Sequence, residues 1–254
     1  MNFFFSISND FLKCNLTIPR FQNRGKIDYK QNLYSATIDK KKWLIRKEKV
    51  ETNEYFFSIL KDYGNDDKIY FLSQEDLDNV RIENLKIENH FLETNPAFRS
   101  NLRVENNSGG FSSYQSEYPS GMVQNKGNIL SQISSLLDQK ATKNFIIFKN
   151  IYKEPISKVF KVYIIDIEEE KVVLEKNFYT NKLNFLEIDK ELLNKNNFLF
   201  SDNYLGIPIY LSEKDKNLSL EHTHPLQTYI MTQNKHEIIK NLKNNAKKII
   251  TRQI

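Results

Sequence analysis

Two short segments hold most of the side chains that could do chemistry. The first is SLEHTHP, residues 219–225, which contains His222 and His224, two of the four histidines of the chain. If this segment is a strand, its period of two places both imidazoles on one face, in line with Leu218 and Leu220. The proline that closes the segment cannot donate a hydrogen bond to a neighbouring strand. We therefore expect the histidine pair at the end of a strand, where binding sites often form.

Two imidazoles at positions i and i+2 of a strand can bind one divalent Zn, Fe or Mn ion when a third side chain completes the coordination. His90 and Glu117 are the candidates for that third ligand, and the cofactor would then be a divalent metal. Alternatively, His222 or His224 is a catalytic acid or base, because imidazole titrates near neutral pH. A third interpretation makes both histidines half-buried structural groups that are hydrogen-bonded within the protein. The sequence leaves the three open.

The second segment is NNSGGFSSYQSEYPSGM, residues 106–122. Four of the seven glycines of the chain lie within residues 109–127, whereas Lys and Asp are absent from 106–122. Hydroxyl and amide side chains offer neutral donors and acceptors, and glycine lets the backbone approach a ligand closely. This composition predicts an ordered loop that binds a small polar, sugar-like molecule. Its candidate ligand-binding residues are Ser112, Ser113, Tyr114, Gln115, Glu117 and Tyr118.

The alternative for residues 106–122 is an exposed, mobile connector, which Gly, Ser and Asn also favour. Phe111 and Met122 argue against it, because a flexible linker does not need large apolar side chains. Just upstream lie Arg99 and Arg103, two of only seven arginines in a lysine-rich chain. A guanidinium group binds carboxylate or phosphate through two hydrogen bonds, which lysine cannot reproduce. Both arginines are therefore candidates for binding an anionic group of the ligand.

Short runs of β-branched and aromatic residues alternate with polar ones along most of the chain, which is typical of strands. The fold class predicted is mainly β: an antiparallel β-sandwich or jelly-roll-like arrangement, without an internal repeat. The whole chain 1–254 is expected to form one β-rich unit, with a subdivision into 1–95, 96–142 and 143–254 left open. The predicted strands are 3–7, 12–18, 33–38, 42–50, 54–60, 68–72, 101–105, 144–149, 158–167, 172–179, 198–200, 205–211 and 218–224.

Two segments have the spacing of helices. In NILSQISSLLDQ, the apolar residues from Ile129 to Leu137 fall on one helical face, which predicts one short internal helix. At the C-terminus, Asn234 and Glu237 have the spacing of a capping box, and an apolar stripe follows from Ile238 to Ile250. This pattern predicts an amphipathic helix that packs on the protein's own sheet and exposes its lysines to water.

Composition limits the classes of function. The 37 basic residues exceed the 32 acidic ones only slightly and are spread along the chain, so we expect no nucleic-acid partner. No apolar stretch approaches the roughly 18 residues that a membrane span needs. The single Cys14 excludes an internal disulfide framework and is expected to be buried beside Leu12 and Leu16. Together with the lack of a signal-peptide pattern, this predicts a cytoplasmic, soluble protein.

Three hypotheses for function follow from the two segments. In the first, the protein binds, and acts on, a small polar, sugar-like and in part anionic ligand, with His222 and His224 as metal ligands or as acid and base. In the second, the same scaffold binds a glycan without catalysis, through Tyr114 and Tyr118. In the third, the protein is structural and joins an assembly, and a homo-oligomer is one form of it. The first requires that the two segments meet in space.

Overall fold

The computed structural model describes residues 2–20, 30–85, 99–123, 127–194, 196–201, 203–222 and 231–253. The protein is mainly β, with antiparallel strands and one long helix at the C-terminus. The elements of the first half are β1 (Asn2–Phe3), β2 (Leu12–Pro19), β3 (Asn32–Asp39), β4 (Lys42–Lys47), β5 (Glu51–Thr52), β6 (Phe56–Lys61), β7 (Ile69–Ser73), β8 (Val80–Ile82), β9 (Ser100–Asn106), β10 (Phe111–Ser116), β11 (Tyr118–Pro119) and α1 (Ser120–Val123).

The second half contains a further set of strands, a short 3-10 helix (Lys190–Asn194) and the long C-terminal helix. The predicted strands from residue 12 onward are all found, and within the described residues their bounds differ by three residues at most, because runs of β-branched and aromatic residues between turn-like segments mark them. The elements are β12 (Ile129–Gln132), β13 (Lys143–Lys149), β14 (Val159–Asp166), β15 (Lys171–Tyr179), β16 (Leu183–Glu187), β17 (Asn197–Ser201), β18 (Ile207–Lys214), β19 (Asn217–His222) and α2 (Lys235–Gln253).

Four large sheets contain most of these strands. Sheet 1 has the order β10-β9-β2-β6-β5, sheet 2 the order β7-β3-β4-β8, sheet 3 the order β19-β18-β13-β16 and sheet 4 the order β12-β17-β14-β15. They follow one another like the blades of a four-bladed β-propeller rather than forming a single sandwich. The mainly β, antiparallel class is thus confirmed, whereas the sandwich or jelly-roll arrangement is corrected. The spacing of strands along the chain does not determine which of them pair.

The two halves of the chain repeat the same strand order. The order β10-β9-β2-β6 in sheet 1 matches β19-β18-β13-β16 in sheet 3, and β7-β3-β4 in sheet 2 matches β17-β14-β15 in sheet 4. The segments that precede the two repeated sets of strands also pair in the same way. Phe4, directly after β1, forms a bridge with Tyr70 of β7, and Leu130 of β12 pairs with Phe200 of β17. The absence of a repeat in the sequence was therefore a poor guide to topology. Backbone pairing and alternation can be preserved while residue identities differ.

Sheet 3 is buried on both faces, which explains the nearly continuous apolar run in β13. Phe145 and Ile147 belong to a core shared with sheets 1 and 2, whereas Ile146 and Phe148 belong to a second core shared with sheet 4. A third, smaller core lies between sheet 4 and α2, where Ile249 is fully buried. Sheet 1 buries only one face, as the alternating exposure of β2 shows. Its other face lies in solvent, as is common for antiparallel sheets.

A buried polar junction joins the two halves beside these cores. Lys149, at the end of β13, has no solvent exposure, and its ammonium donates to the backbone carbonyl of Asp67 at 3.5 Å. The carboxylate of Asp67 accepts from Lys182 Nζ at 2.6 Å and from the backbone N–H of Leu183 at 3.1 Å. Burial lowers the pKa of Lys149 from 10.5 to about 8, although the nearby carboxylates of Asp67 and Asp66 oppose that effect.

The predicted internal helix at residues 129–137 is wrong. Residues 129–132 form β12, which pairs with β17 at the edge of sheet 4. Leu130 is buried in the third core, under α2, whereas Ile133 and Leu137 are buried in the second core. The helical spacing thus arises from residues that face two different cores. The internal α-helix within the described residues is the four-residue α1 instead.

The C-terminal helix and the buried cysteine are confirmed. The backbone N–H groups of Glu237 and Ile238 donate to the carbonyl of Asn234 at the start of α2. Of the apolar stripe, Ile239, Ala246 and Ile249 are buried and the other members are partly buried. Cys14 is buried on the inner face of β2. In the described ranges, no helix is both long and apolar enough to cross a bilayer. The subdivision at residues 95 and 142 stays a prediction.

Candidate functional site

Residues 106–122 do not form a long loop: residues 106–116 are the turn and second strand of the β9–β10 hairpin, and β11 and α1 follow. Asn106–Gly110 makes the turn between β9 and β10, and Gly109 adopts a φ of +84°, which glycine tolerates at low cost. Tyr114 and Ser116 point inward from β10, whereas Phe111, Ser113 and Gln115 are exposed. The alternation was hidden because serine occupies inward and outward positions alike. The expectation of a loop is corrected, and that of an ordered segment holds.

This hairpin lies beside the equivalent hairpin of the second half, β18–β19. Near the turns, Asn106 Nδ2 donates to Glu213 Oε1 at 2.9 Å and to the backbone carbonyl of Lys216 at 3.1 Å. Further along, the backbone N–H of Leu220 donates to Ser112 Oγ at 3.2 Å. Ser112 therefore joins two sheets.

A glycine of the segment serves the same junction. A Cβ atom on Gly110 would lie 1.7 Å from the Lys216 carbonyl oxygen, which belongs to the neighbouring turn. The close approach that the glycine permits is therefore one between two parts of the protein, not one with a ligand.

At the open ends of the two hairpins lies a cavity of about 540 Å³, here called the chamber. This size falls within the range typical of small-molecule sites. The first half contributes side chains around β9 and β10, the second half contributes the start of β18 and the end of β19, and α2 closes one side. The polar residues that line the chamber are Arg99, Tyr114, Gln115, Glu117, Asn128, His222 and Lys243. Its apolar wall includes Met122, Ile129, Leu130, Leu205, Pro208 and Ile239.

The two segments singled out in the sequence meet in the chamber. The imidazole of His222 lies 4.9 Å from the ring of Tyr114, measured between centroids, with the ring planes at 51°. The exposure of β19 alternates as predicted, with Leu220 buried and His222 half-buried on the same face. Burial raises the pKa of the Tyr114 hydroxyl to about 12, and the nearby Glu117 carboxylate acts in the same direction. The Tyr114 hydroxyl is therefore a neutral hydrogen-bonding group.

Two opposite charges face each other across the chamber wall. Arg99 Nε lies 3.5 Å from Glu117 Oε1, with the arginine half-exposed and the glutamate more buried. Arg99 directly precedes β9, in the position that Leu205 and Gly206 have before β18. The chamber is thus lined by equivalent ends of the two repeated hairpins. Equivalent backbones carry different side chains there, with a charged pair on one side and an apolar surface on the other.

Four of the predicted ligand-binding residues do not line the chamber: Ser112, which joins the two hairpins, and Arg103, Ser113 and Tyr118. Arg103 lies on the solvent face of sheet 1, where its guanidinium carbon is 4.3 Å from the ring centroid of Phe111. Ser113 is exposed opposite Arg103 in the same sheet. Tyr118 is fully buried, and its hydroxyl donates to the carbonyl of Leu205 at 3.0 Å. Tyr118 therefore supports the chamber wall from behind.

The metal hypothesis stays a prediction. His224 and His90 lie outside the described residues, so the predicted pair cannot be placed as a pair. Among the residues that the structure does describe, no group of three or more His, Cys, Asp or Glu side chains is close enough to hold an ion. Glu117 shares the chamber with His222, which is the part of the predicted ligand set that the structure brings together.

The sequence-based reasoning missed the contribution of α2. Lys243 was expected to point to water with the other lysines of the helix, but it is half-buried at the chamber, and its Nζ donates to the carbonyl of Asn128 at 3.3 Å. Burial and the neighbouring Lys247 lower the pKa of Lys243. The available signal was its spacing, since Lys243 follows the buried Ile239 by one helical turn.

The chain matches no known protein family, no curated protein and no solved structure.

Proposed function

We propose that the protein binds a small organic ligand with an anionic group in the chamber. The observation that supports this most directly is the convergence of Arg99, Tyr114, Gln115, Glu117 and His222 on one cavity. Pockets for small molecules combine an apolar wall with a few convergent polar groups and titratable side chains. Among the described residues that line the chamber, the positive groups of Arg99 and Lys243 outnumber the one carboxylate, that of Glu117, which favours a ligand with negative charge.

A sugar-like ligand with an acidic substituent is the second candidate. Gln115 offers an amide, and the Tyr114 hydroxyl is a neutral hydrogen-bonding group beside the imidazole of His222. Catalysis by His222, with or without His224 and a metal, is the extension of this proposal that the sequence suggested. The glycan-binding and assembly alternatives stay predictions, as does a homo-oligomer.

Filling the chamber tests the proposal. Gln115→Trp places a large ring in the cavity from an exposed strand position, so the core stays unchanged. Ser113→Trp is the matched control, because it lies two residues away on the same exposed face and does not line the chamber. A ligand at a concentration of about 100 times its Kd stabilises the folded state by about 2.7 kcal/mol, which raises Tm measurably.

The measurement is Tm in the presence of sugar phosphates, uronic acids, and aliphatic and aromatic carboxylates. We expect at least one class to raise the Tm of the wild type and of Ser113→Trp but not of Gln115→Trp. The proposal fails if no class raises the Tm of the wild type, or if Gln115→Trp responds as the wild type does.

A further inference from the structure

The charges of the chamber are not balanced among themselves. Arg99 faces the carboxylate of Glu117 at 3.5 Å, so each neutralises the other in part. Lys243 has no such partner within the described residues, because its Nζ donates only to the neutral carbonyl of Asn128. A half-buried ammonium group without a counter-ion is costly, since water no longer solvates it fully. Of the charged groups that line the chamber, the Lys243 ammonium is therefore the one that an anionic group of a ligand would stabilise most.

The wall around that position is apolar rather than polar. Ile129, Leu205 and Pro208 face the chamber from the second half, and Met122 from the end of α1. Ile239 lies on α2, one helical turn before Lys243, and lines the chamber as well. A polyhydroxylated molecule would leave many hydroxyl groups against these side chains without hydrogen-bond partners, at a cost for each. A hydrocarbon or aromatic body would instead remove this surface from water.

We propose that the ligand of the chamber is an amphipathic organic anion, whose carboxylate or similar anionic group pairs with Lys243 and whose apolar body lies against the wall around Ile239. This proposal rests on the function proposed above and specifies the class of ligand. It also assigns α2 to the binding site, because both Ile239 and Lys243 belong to that helix. The helix contributes this charge, whereas the neighbouring ends of the two hairpins, together with α1 and β12, contribute the rest of the wall.

The test measures binding to the full chain by calorimetry with three probes. Octanoate carries both an anionic and an apolar part, gluconate is a polar anion, and octanol is apolar without charge. We expect octanoate to bind at least tenfold more tightly than either of the others. Each of them lacks one of the two features that the chamber recognises.

Two substitutions on the same helix separate the charge from the fold. Lys243→Met keeps most of the apolar stem, so we expect α2 to stay packed on the protein. The Kd for octanoate should rise about tenfold or more, because a charge-assisted hydrogen bond is lost. Lys248→Met is the control, because Lys248 is exposed on α2 and does not line the chamber. Lys243→Arg should restore most of the affinity. Helix content and urea unfolding, measured for each variant, show that the fold is kept.

The outcomes distinguish the two proposals. Equal affinities for octanoate and gluconate, or equal Kd values for Lys243→Met and Lys248→Met, would overturn the assignment of an amphipathic anion to Lys243. If octanoate fails to bind while a sugar phosphate or uronic acid does, the chamber is still a ligand site, but its ligand class is the polar one. If no anion of any class binds, the proposed function itself is wrong.

Discussion

Replacing the buried Lys149 by methionine should stabilise the protein near neutral pH. The pKa of this lysine is lowered from 10.5 to about 8 by burial. A tenfold change in proton affinity corresponds to about 1.4 kcal/mol, so keeping Lys149 charged in the folded state costs about 3 kcal/mol. Methionine fills a similar volume without charge. It also loses the long hydrogen bond to the Asp67 carbonyl, worth about 1 kcal/mol, so we expect a net gain of about 2 kcal/mol.

The pH dependence of this gain has a definite sign. Below a pH of about 8, Lys149 is charged in both the folded and the unfolded state, and the full cost applies. Between the folded-state pKa of about 8 and the unfolded-state value of 10.5, the unfolded chain binds more protons, so the wild type gains stability as pH rises. The advantage of Lys149→Met should therefore shrink by about 2 kcal/mol between about pH 7 and about pH 9.5.

Urea unfolding at the two pH values, monitored by circular dichroism, measures this difference. Tyrosines and Cys14 also titrate at alkaline pH, but they contribute equally to the free energy of unfolding of the variant and of the wild type. The difference between the two proteins at each pH therefore reports on Lys149. Lys176→Met is the control, because Lys176 is exposed on β15, and its effect should stay within about 0.5 kcal/mol at both values. A destabilising effect of Lys149→Met near pH 7, or an effect that does not change with pH, would refute an unfavourably buried charge at this position.

Two further predictions concern the hairpin junction and the cysteine. Gly110→Ala should lower the free energy of unfolding by about 2 kcal/mol, because its Cβ atom would collide with the backbone carbonyl of Lys216. Gly121→Ala is the control, because a Cβ atom there meets nothing within 4 Å and the change should be nearly neutral. Equal urea midpoints for the two variants would contradict the close packing of the turns. Cys14 should resist a disulfide-exchange reagent in the native protein and react readily in urea, because burial raises the pKa of its thiol to about 12 and blocks access by the reagent. Rapid labelling of the folded protein would contradict this and would show that β2 opens easily.

The candidate site was predictable in part. Tyr114, Gln115, Glu117 and His222 were identified from residue type and local composition, and they line one chamber. Arg99 was identified for its guanidinium and lies there as well. The glycine and serine content of residues 106–122 is explained in part by packing, because Gly110 and Ser112 allow the two hairpins to contact each other closely. Function and packing favour the same small polar residues, so composition alone cannot separate them.

The sequence by itself determined the local features of this protein. Periods of 2 or 3.6 residues, which need no knowledge of distant contacts, predicted the inward row of Cys14 in β2, the face of His222 in β19 and the helix α2. Tertiary structure decided the repeated strand order, the strand at Ile129–Gln132 and the position of Lys243 in the chamber. These depend on which distant surfaces meet, and burial against them overrides the local preference of a segment.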